Sequence, residues 1–309
     1  MDMELRRRAL IALALNRTPG FHFPGNFLGI TFAERTPERV RVGLEPGGFC
    51  EELDGQINSG AISLLADIAL ASAVRANLDP AQRLATVSLQ LQFTGEPCAG
   101  PLEASGEFAG FLRGAAGAQG LSRVSVRAAG RTVLFGSGAF MVLNPPPGIR
   151  MHAPVSAIHS VAAPLSEAEL TLPEREILSR FESILTTPKP HQSFVQRLWG
   201  VEPRTTDKGA LCIIENGSQI GNRVGHAQGG LQVGFALETA RAALPRNWAV
   251  SGISACFISP GEGRRLRVTS VVLHRGRQTA VVRTVITGKL RRRVLETTST
   301  HAWRGGREE

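Results

Sequence analysis

Two segments of the chain are almost wholly apolar, and each precedes strands in which apolar and polar residues alternate. The first segment, 61–74, holds one charged residue, Asp67, with apolar residues on every side of the predicted helix. A helix of this composition must be buried on most of its surface. In the strand that follows, a period of two places Thr86 and Ser88 together on the polar face. The pattern predicts a long central helix enclosed by a curved antiparallel sheet.

The same order of elements occurs twice. A glycine opens each nearly uncharged helix, Gly60 in one half and Gly230 in the other, and the alternating strands after them end at Phe93 and Phe257. Each half reads as a lead-in helix, a strand and loop, the long helix, and then three or four strands. A repeat of this length indicates two copies of one domain.

A proline-rich segment separates the two copies. Residues 144–148 read Asn-Pro-Pro-Pro-Gly, which predicts an extended linker. We therefore predict an N-terminal domain over 1–145, a linker over 146–172 and a C-terminal domain over 173–309, each domain with its own lead-in helix. The second lead-in helix carries an apolar stripe that we expect to pack on the second sheet: Ile177, Leu178, Phe181, Ile184 and Leu185.

Composition narrows the classes of function. The chain has 309 residues, of which 42% are apolar and 20% charged, as expected for two globular domains. Its net charge of +9 would attract nucleic acid or a phosphate-rich ligand. Aromatic residues are few, tyrosine is absent and no nucleic-acid motif occurs, so nucleic acid is not expected. No apolar run reaches the roughly 18 to 20 residues of a membrane span.

The four cysteines, Cys50, Cys98, Cys212 and Cys256, show neither close pairing nor the spacing of a metal site. Each lies among apolar or strand-like residues, so we expect buried, reduced thiols and no metal. Such thiols are typical of a cytoplasmic protein.

The segment 54–67, Asp-Gly-Gln-Ile-Asn-Ser-Gly-Ala-Ile-Ser-Leu-Leu-Ala-Asp, resembles the helix signature of the PaaI-like hotdog acyl-CoA thioesterases. That signature has His-Gly-Gly, then apolar residues, then Leu-Ala-Asp. Asn58 and Ser59 stand where the family has His and the first Gly, whereas Gly60 and Asp67 match.

The second half carries a complementary resemblance. Asn222, five residues and then Gln228-Gly229-Gly230 are similar to the family's Asn followed by His-Gly-Gly, with Gln replacing His. Farther along the chain, the dipeptide Gly276-Arg277 resembles a strand turn of these enzymes. The resemblance implies that Arg277 contacts the substrate.

The resemblance implies an α+β chain of two tandem hotdog domains that form an intrachain pseudo-dimer. It also implies hydrolysis of an acyl-CoA to the free acid and CoA, with coenzyme A present only as part of the substrate and no other cofactor. Hotdog units often pair further, so the resemblance leaves a homodimer of such chains open. Family members share each site between two units, so the implied composite site joins residues of both halves: Asp67, Thr86 and Ser88 with Asn222, Gln228, Gly229 and Gly230.

The glycines and the acid suit this chemistry on physical grounds. Unsatisfied N–H groups at a helix N-terminus favour the negative charge that develops on a carbonyl oxygen, and glycine permits close approach there. Burial makes Asp67 more basic than a hydrated carboxylate. The alternative for Asp67 is a structural role, in which it accepts backbone hydrogen bonds or pairs with an arginine.

A mirror-related second site is less complete. It would join Asn58 and Ser59, together with Glu52, to Glu238 and Ser251. Glu238 stands one position beyond the equivalent of Asp67, a rotation of about 100° around the helix. We therefore expect one working site per chain.

Two other functions remain open. A non-catalytic acyl-CoA-binding or regulatory protein is favoured by the absence of both family histidines and disfavoured by Asp67. A hydroxyacyl-thioester dehydratase would need a histidine paired with an acid, and His226 and Glu238 lack that spacing.

Overall fold

The computed structural model of the protein describes residues 2–17, 22–115, 117–144, 162–187, 189–222 and 224–305. The first sixteen residues of the predicted linker, 146–161, lie outside the described residues. Six α-helices occur in these ranges: α1 (Asp2–Asn16), α2 (Phe23–Leu28), α3 (Ser59–Arg75), α4 (Leu172–Thr186), α5 (Phe194–Trp199) and α6 (Gly229–Ala242).

All the strands belong to one antiparallel sheet with two similar halves. In the first half they are β1 (Thr31–Arg35), β2 (Arg39–Leu44), β3 (Arg83–Phe93), β4 (Leu102–Gly114), β5 (Gly117–Ala128) and β6 (Arg131–Leu143). In the second half they are β7 (Arg204–Thr206), β8 (Gly209–Glu215), β9 (Trp248–Phe257), β10 (Arg265–Arg275), β11 (Thr279–Thr287) and β12 (Arg293–Trp303).

The strand order is symmetric about the middle of the sheet. It runs β1-β2-β4-β5-β6-β3 and continues as β9-β12-β11-β10-β8-β7. The two halves meet where β3 pairs with β9, from Ser88 opposite Cys256 to Gln92 opposite Gly252. The internal repeat in the sequence thus corresponds to a repeat in strand topology.

Each half wraps its sheet around one long helix, as the apolar pattern predicts. Along α3 the side chains from Gly60 to Leu70 are all buried, and the helix contacts β2, β4, β5 and β6. The α3 N-terminus is capped by Asn58, whose Oδ1 accepts from the N–H of Gly60 at 2.7 Å. In the second half α6 packs against β8, β9, β10 and β11.

The two central helices contact each other through glycines. A Cβ on Gly234 of α6 would lie 2.3 Å from the Cα of Gly60 of α3, and a Cβ on Gly230 would lie 2.7 Å from the Cα of Leu64. Only residues without side chains permit this approach. The contact places the start of α6 directly beside the middle of α3.

The expected packing of the second lead-in helix is wrong. The apolar stripe of α4 is buried, but it faces α1 and α2 instead of the second sheet, and Phe181 packs edge-on against Phe23 and Phe27. Helix α6 already covers the second sheet. The aromatic side chains of the two lead-in segments therefore bury more surface by packing against each other.

The cysteines only partly follow the sequence expectation. All four are free thiols; Cys50 and Cys212 are buried, Cys98 is half-buried and Cys256 is exposed. The prediction of a buried thiol is wrong for Cys256, because its side chain lies on the outer face of β9. Among the described helices, none has the length and apolarity needed to cross a membrane.

Candidate active site

The carboxyl group of Asp67, on α3, lies against the N-terminus of α6. Its Oδ2 accepts from the backbone N–H of Gly230 at 3.1 Å and from Nε2 of Gln228 at 2.7 Å. The side chain is 4% exposed. The structure therefore brings an acid of the first half to the helix start of the second half, as the composite arrangement requires.

Gln228 is held in place by the helix that it caps. Its Oε1 accepts from the N–H of Leu231 at 2.9 Å, which fixes the amide so that Nε2 points to Asp67. N-cap positions favour side chains that satisfy an otherwise unpaired backbone N–H. One glutamine thus both caps α6 and donates a hydrogen bond to the carboxylate.

Gly229 offers a free donor at the same helix start. Its backbone N–H has no acceptor among the described residues, and the residue lines a cavity of about 480 Å³. A Cβ here would lie 3.2 Å from Oγ1 of Thr86 and 3.4 Å from Oδ2 of Asp67. A side chain at this position would therefore crowd Thr86 and Asp67, and glycine keeps this part of the cavity clear.

Thr86 contacts Asp67, but Ser88 does not share its face. A bulge at Val87 shifts the pairing of β3 with β6, so the alternation changes phase between Thr86 and Ser88. Thr86 Oγ1 donates to Oδ1 of Asp67 at 3.3 Å. The predicted substrate contact of Ser88 is wrong, because the residue does not line the cavity and lies between strands β6 and β9.

The cavity runs past this group in two directions. Toward the loop before α6 it is lined by Asn222, His226 and Gln232, and by the segment 257–261. Asn222 uses its Oδ1 to accept from the N–H groups of Val224 and His226, both at 3.0 Å, so this oxygen holds the loop.

The loop histidine lies next to an acidic side chain. His226 Nε2 lies 3.3 Å from a carboxylate oxygen of Glu262, while the ring also borders the cavity. His226 lies at the rim of the cavity, and no hydrogen bond among the described residues joins it to Asp67.

Sequence reasoning missed His22, which also lines the cavity. It precedes α2, a six-residue helix that begins at Phe23 and ends at Leu28, followed by Gly29 in a left-handed conformation with φ of 67°. The second half repeats this element as Ser193, α5 and Gly200, with φ of 69°. Aligning His22-Phe23 with Ser193-Phe194 would have exposed the residue as part of the repeat.

Burial raises the pKa of Asp67 from 3.8 to about 6, while the hydrogen bonds from Gln228, Gly230 and Thr86 act in the opposite direction. Asp67 is therefore ionised at neutral pH, and it is a stronger base than an exposed aspartate. A basic carboxylate next to an unpaired N–H can remove a proton from a water molecule and leave the N–H for an oxyanion.

The mirror-related residues also come together, but as a different cluster. Asn58 donates to Glu52, and Glu238 on α6 lies close enough to raise the pKa of Glu52 further, after burial as the main cause. Oε1 of Glu238 accepts from Arg241 at 3.3 Å. Glu238 is therefore engaged in an ion pair, and no carboxylate occupies the position equivalent to Asp67.

The space beside the mirror helix start is filled. A Cβ on Gly60 would lie 2.6 Å from the indole ring of Trp199, which packs over the start of α3. Ser59 replaces the glycine that lines the cavity in the other half, and Ser251 forms a hydrogen bond of 3.0 Å with Thr300 instead of facing Glu238.

Arg277 lies far from the cavity, so its predicted substrate contact is wrong. It follows the end of β10, whereas the cavity reaches Gly261, before the start of that strand. Eleven residues of extended strand span roughly 35 Å. Arg277 lies in the turn between β10 and β11, where the N–H of Gly276 donates to the backbone oxygen of Thr279.

No group of three or more His, Cys, Asp or Glu side chains within the described ranges is arranged to hold a metal ion.

Solved structures with the same architecture include a proposed thioesterase from Novosphingobium aromaticivorans, with a TM-score of 0.53 and 15% identity over 89% of this chain and 99% of its own. A proposed oleoyl thioesterase from Lactobacillus plantarum has a TM-score of 0.54 and 10% identity, again over 89% and 99%. A hot dog fold protein from Alicyclobacillus acidocaldarius has a TM-score of 0.51 and 10% identity over 90% and 96%. No protein-family model and no curated protein matches the sequence. These likenesses show that the chain has the hotdog fold.

Proposed function

We propose that the protein hydrolyses an acyl-CoA thioester to the free acid and CoA. The two halves would act as a tandem pair of hotdog domains, an intrachain pseudo-dimer with its reacting group at the seam. The observation that carries the proposal is the buried carboxylate of Asp67 beside the start of α6, in a cavity shared by both halves.

In this proposal the thioester carbonyl oxygen binds the N–H of Gly229. That N–H has no other acceptor among the described residues, and the positive end of the α6 dipole stabilises negative charge at this point. A single donor of this kind contributes about 3 kcal/mol to the stability of the transition state.

Asp67 serves as the general base. Thr86 donates a hydrogen bond to Oδ1 and orients the carboxylate. The carboxylate takes a proton from a water molecule in the cavity, and the water oxygen forms a bond to the carbonyl carbon. The tetrahedral intermediate collapses with cleavage of the carbon–sulfur bond, and the proton returns from Asp67 to the leaving thiolate. We favour a base over a nucleophile because two N–H donors already engage Oδ2.

We also propose one working site per chain, which the same contacts support. The mirror cluster has Leu237 at the position equivalent to Asp67, and Trp199 fills the space next to Gly60. Free cysteine thiols support a reducing compartment, so we propose that the enzyme acts in the cytoplasm.

The test is incubation of the purified protein with medium-chain and aromatic acyl-CoAs and a thiol-reactive dye. We expect release of free CoA thiol above the rate without protein. Tight binding of acyl-CoA without thiol release would instead identify a non-catalytic acyl-CoA-binding protein and would overturn the proposal.

A further inference from the structure

The second direction of the cavity follows α3 from Asp67 to Arg75. Asp67, Ile68, Ala71 and Arg75 all line it and lie on one face of the helix. Arg75 is eight residues beyond Asp67, which is about 12 Å along the helix axis.

Two arginines close this end of the cavity. Arg75 donates from Nη1 to the backbone oxygen of Gln82 at 2.9 Å, and Arg83 donates from Nε to the backbone oxygen of Asn144 at 3.1 Å. Each guanidinium is thereby oriented by a single backbone contact, and its other N–H groups remain available.

Neither arginine has a carboxylate partner within the described part of the chain. Burial lowers the pKa of the Arg75 guanidinium, and the nearby Arg35 lowers it further. Among the described residues that line the cavity, Asp67 is the only acid. A guanidinium removed from water without an anion is costly, so a negatively charged ligand group would offset that cost.

The wall between the two charged ends is mostly apolar, with Ser72 as a polar exception. A methylene chain fits such a surface, which is formed by Ile68, Ala71, Leu84, Ala85, Phe140 and Leu143. Toward α6 the lining is polar instead, with Asn222, His226 and Ser259.

Gln232 belongs to this polar side. Its Oε1 is buried without a hydrogen-bond partner among the described residues. An unpaired amide oxygen suits the amide N–H groups of a pantetheine arm, which leaves the apolar direction for the acyl group.

We propose that the acyl group ends in a carboxylate, so that the substrate is the monothioester of a dicarboxylic acid. Its distal carboxylate binds Arg75 and Arg83, its methylene chain lies along the apolar wall, and its thioester carbonyl lies at Gly229. This inference rests on the proposed thioester hydrolysis and specifies the substrate class of the same site.

The test compares octanoyl-CoA with octanedioyl-CoA, which differ by the terminal carboxylate. For the wild type we expect kcat/KM to be at least about tenfold higher with octanedioyl-CoA, because charge-assisted hydrogen bonds are lost with the other ester. Arg75→Gln and Arg83→Gln should each lower this ratio by about tenfold, and Arg75→Lys should lower it less. The matched control is Arg127→Gln, at an exposed position on β5 outside the cavity, which should keep the ratio.

The two acyl groups are also offered as N-acetylcysteamine thioesters, which lack the nucleotide. If Arg75 and Arg83 bind CoA phosphates, each glutamine substitution will lower kcat/KM for the two CoA esters equally. It will leave kcat/KM for the two N-acetylcysteamine esters unchanged. That result, or a wild-type ratio near one, overturns the inference and leaves the hydrolase intact. Failure to hydrolyse any of the four thioesters overturns both proposals.

Discussion

Two opposing influences set the basicity of Asp67. Removal from water disfavours the carboxylate, whereas Gln228, Gly230 and Thr86 each donate a hydrogen bond that favours it. The balance leaves a pKa of about 6. An acid of this strength is mostly ionised at neutral pH and can still accept a proton in the transition state.

The pH dependence of the reaction should reflect this carboxyl group. We expect kcat/KM to rise as pH increases through about 6 and then to level off, because only the ionised form of Asp67 can act as a base. The measurement is a profile of kcat/KM from pH 4.5 to 8 with one acyl-CoA. A flat profile, or one that falls through pH 6, would contradict a general-base role.

Gln228 should influence the position of that profile. Replacement by leucine removes the donor at 2.7 Å from Asp67, so the pKa of Asp67 should rise and the acid limb should move to higher pH. The helix also loses its cap, at a cost of about 1 kcal/mol in the free energy of unfolding.

The matched control for Gln228→Leu is Gln219→Leu. Gln219 is also buried, but it donates to the backbone of Glu215 outside the cavity. We expect the control to leave the profile in place. A shift of equal size in both variants would mean that Gln228 acts through general stability alone.

At the scale of elements, two adjacent glycines at the start of α6 have different roles. The Cβ of an alanine at position 229 would meet Thr86 Oγ1 at 3.2 Å and Phe257 at 3.3 Å, inside the cavity. At position 230 it would meet the backbone of α3, 2.7 Å from both the Cα of Leu64 and the oxygen of Ser63. One position faces the substrate and the other faces the helix contact.

Alanine substitutions at positions 229 and 230 should distinguish the role in catalysis from the role in helix packing. Gly229→Ala should lower kcat/KM by at least tenfold with little change in the urea midpoint, because the added methyl group enters the carbonyl site. Gly230→Ala should lower the free energy of unfolding by about 1–3 kcal/mol, because α3 and α6 must move apart. Urea titrations and kinetics of both variants give the comparison. Equal loss of stability in the two would contradict the assignment.

Sequence patterns predicted α3 well because its burial is a local property. Apolar residues on every side of a segment with a single acid already require an enclosed helix, and α3 differs from the predicted segment by only a few residues at its ends. The pairing of Asp67 with the Gln228 turn was implied by the family resemblance, in which each site is shared between two units.

Features that depend on backbone irregularity or distant packing could not be predicted in this way. A bulge at Val87 inverts the strand phase, so the alternation predicted a shared face for Thr86 and Ser88 that the sheet does not keep. The turn at Arg277 looked like a ligand contact because its motif does not reveal which end of β10 faces the cavity. His22 enters the site through a separate short helix, with no local signal of its own.

At the scale of the whole molecule, the two halves share both sheet and core. β3 pairs with β9, and α3 packs on α6 through glycines. One continuous cluster of buried residues includes Leu64 of the first half and Leu231 of the second. The joint is therefore a core interface and not a surface contact between separable domains.

Such continuity should make unfolding cooperative. We expect calorimetry to show one thermal transition with equal calorimetric and van't Hoff enthalpies, because neither half can keep its sheet edge and helix contact covered without the other. Two resolved transitions would show that the halves fold independently.

The central claim assigns catalysis to one acid, and a pair of substitutions tests it most directly. Asp67→Asn retains the shape of the site, since the amide oxygen can accept from Gln228 and its nitrogen can donate to Thr86. Glu238→Gln is the matched change at the mirror-related cluster. The measurement is kcat/KM for acyl-CoA hydrolysis by the wild type and by each variant. We expect Asp67→Asn to lower it by about 10²–10⁴ and Glu238→Gln to retain most of it. Unchanged hydrolysis in Asp67→Asn, with loss in Glu238→Gln, would contradict the assignment.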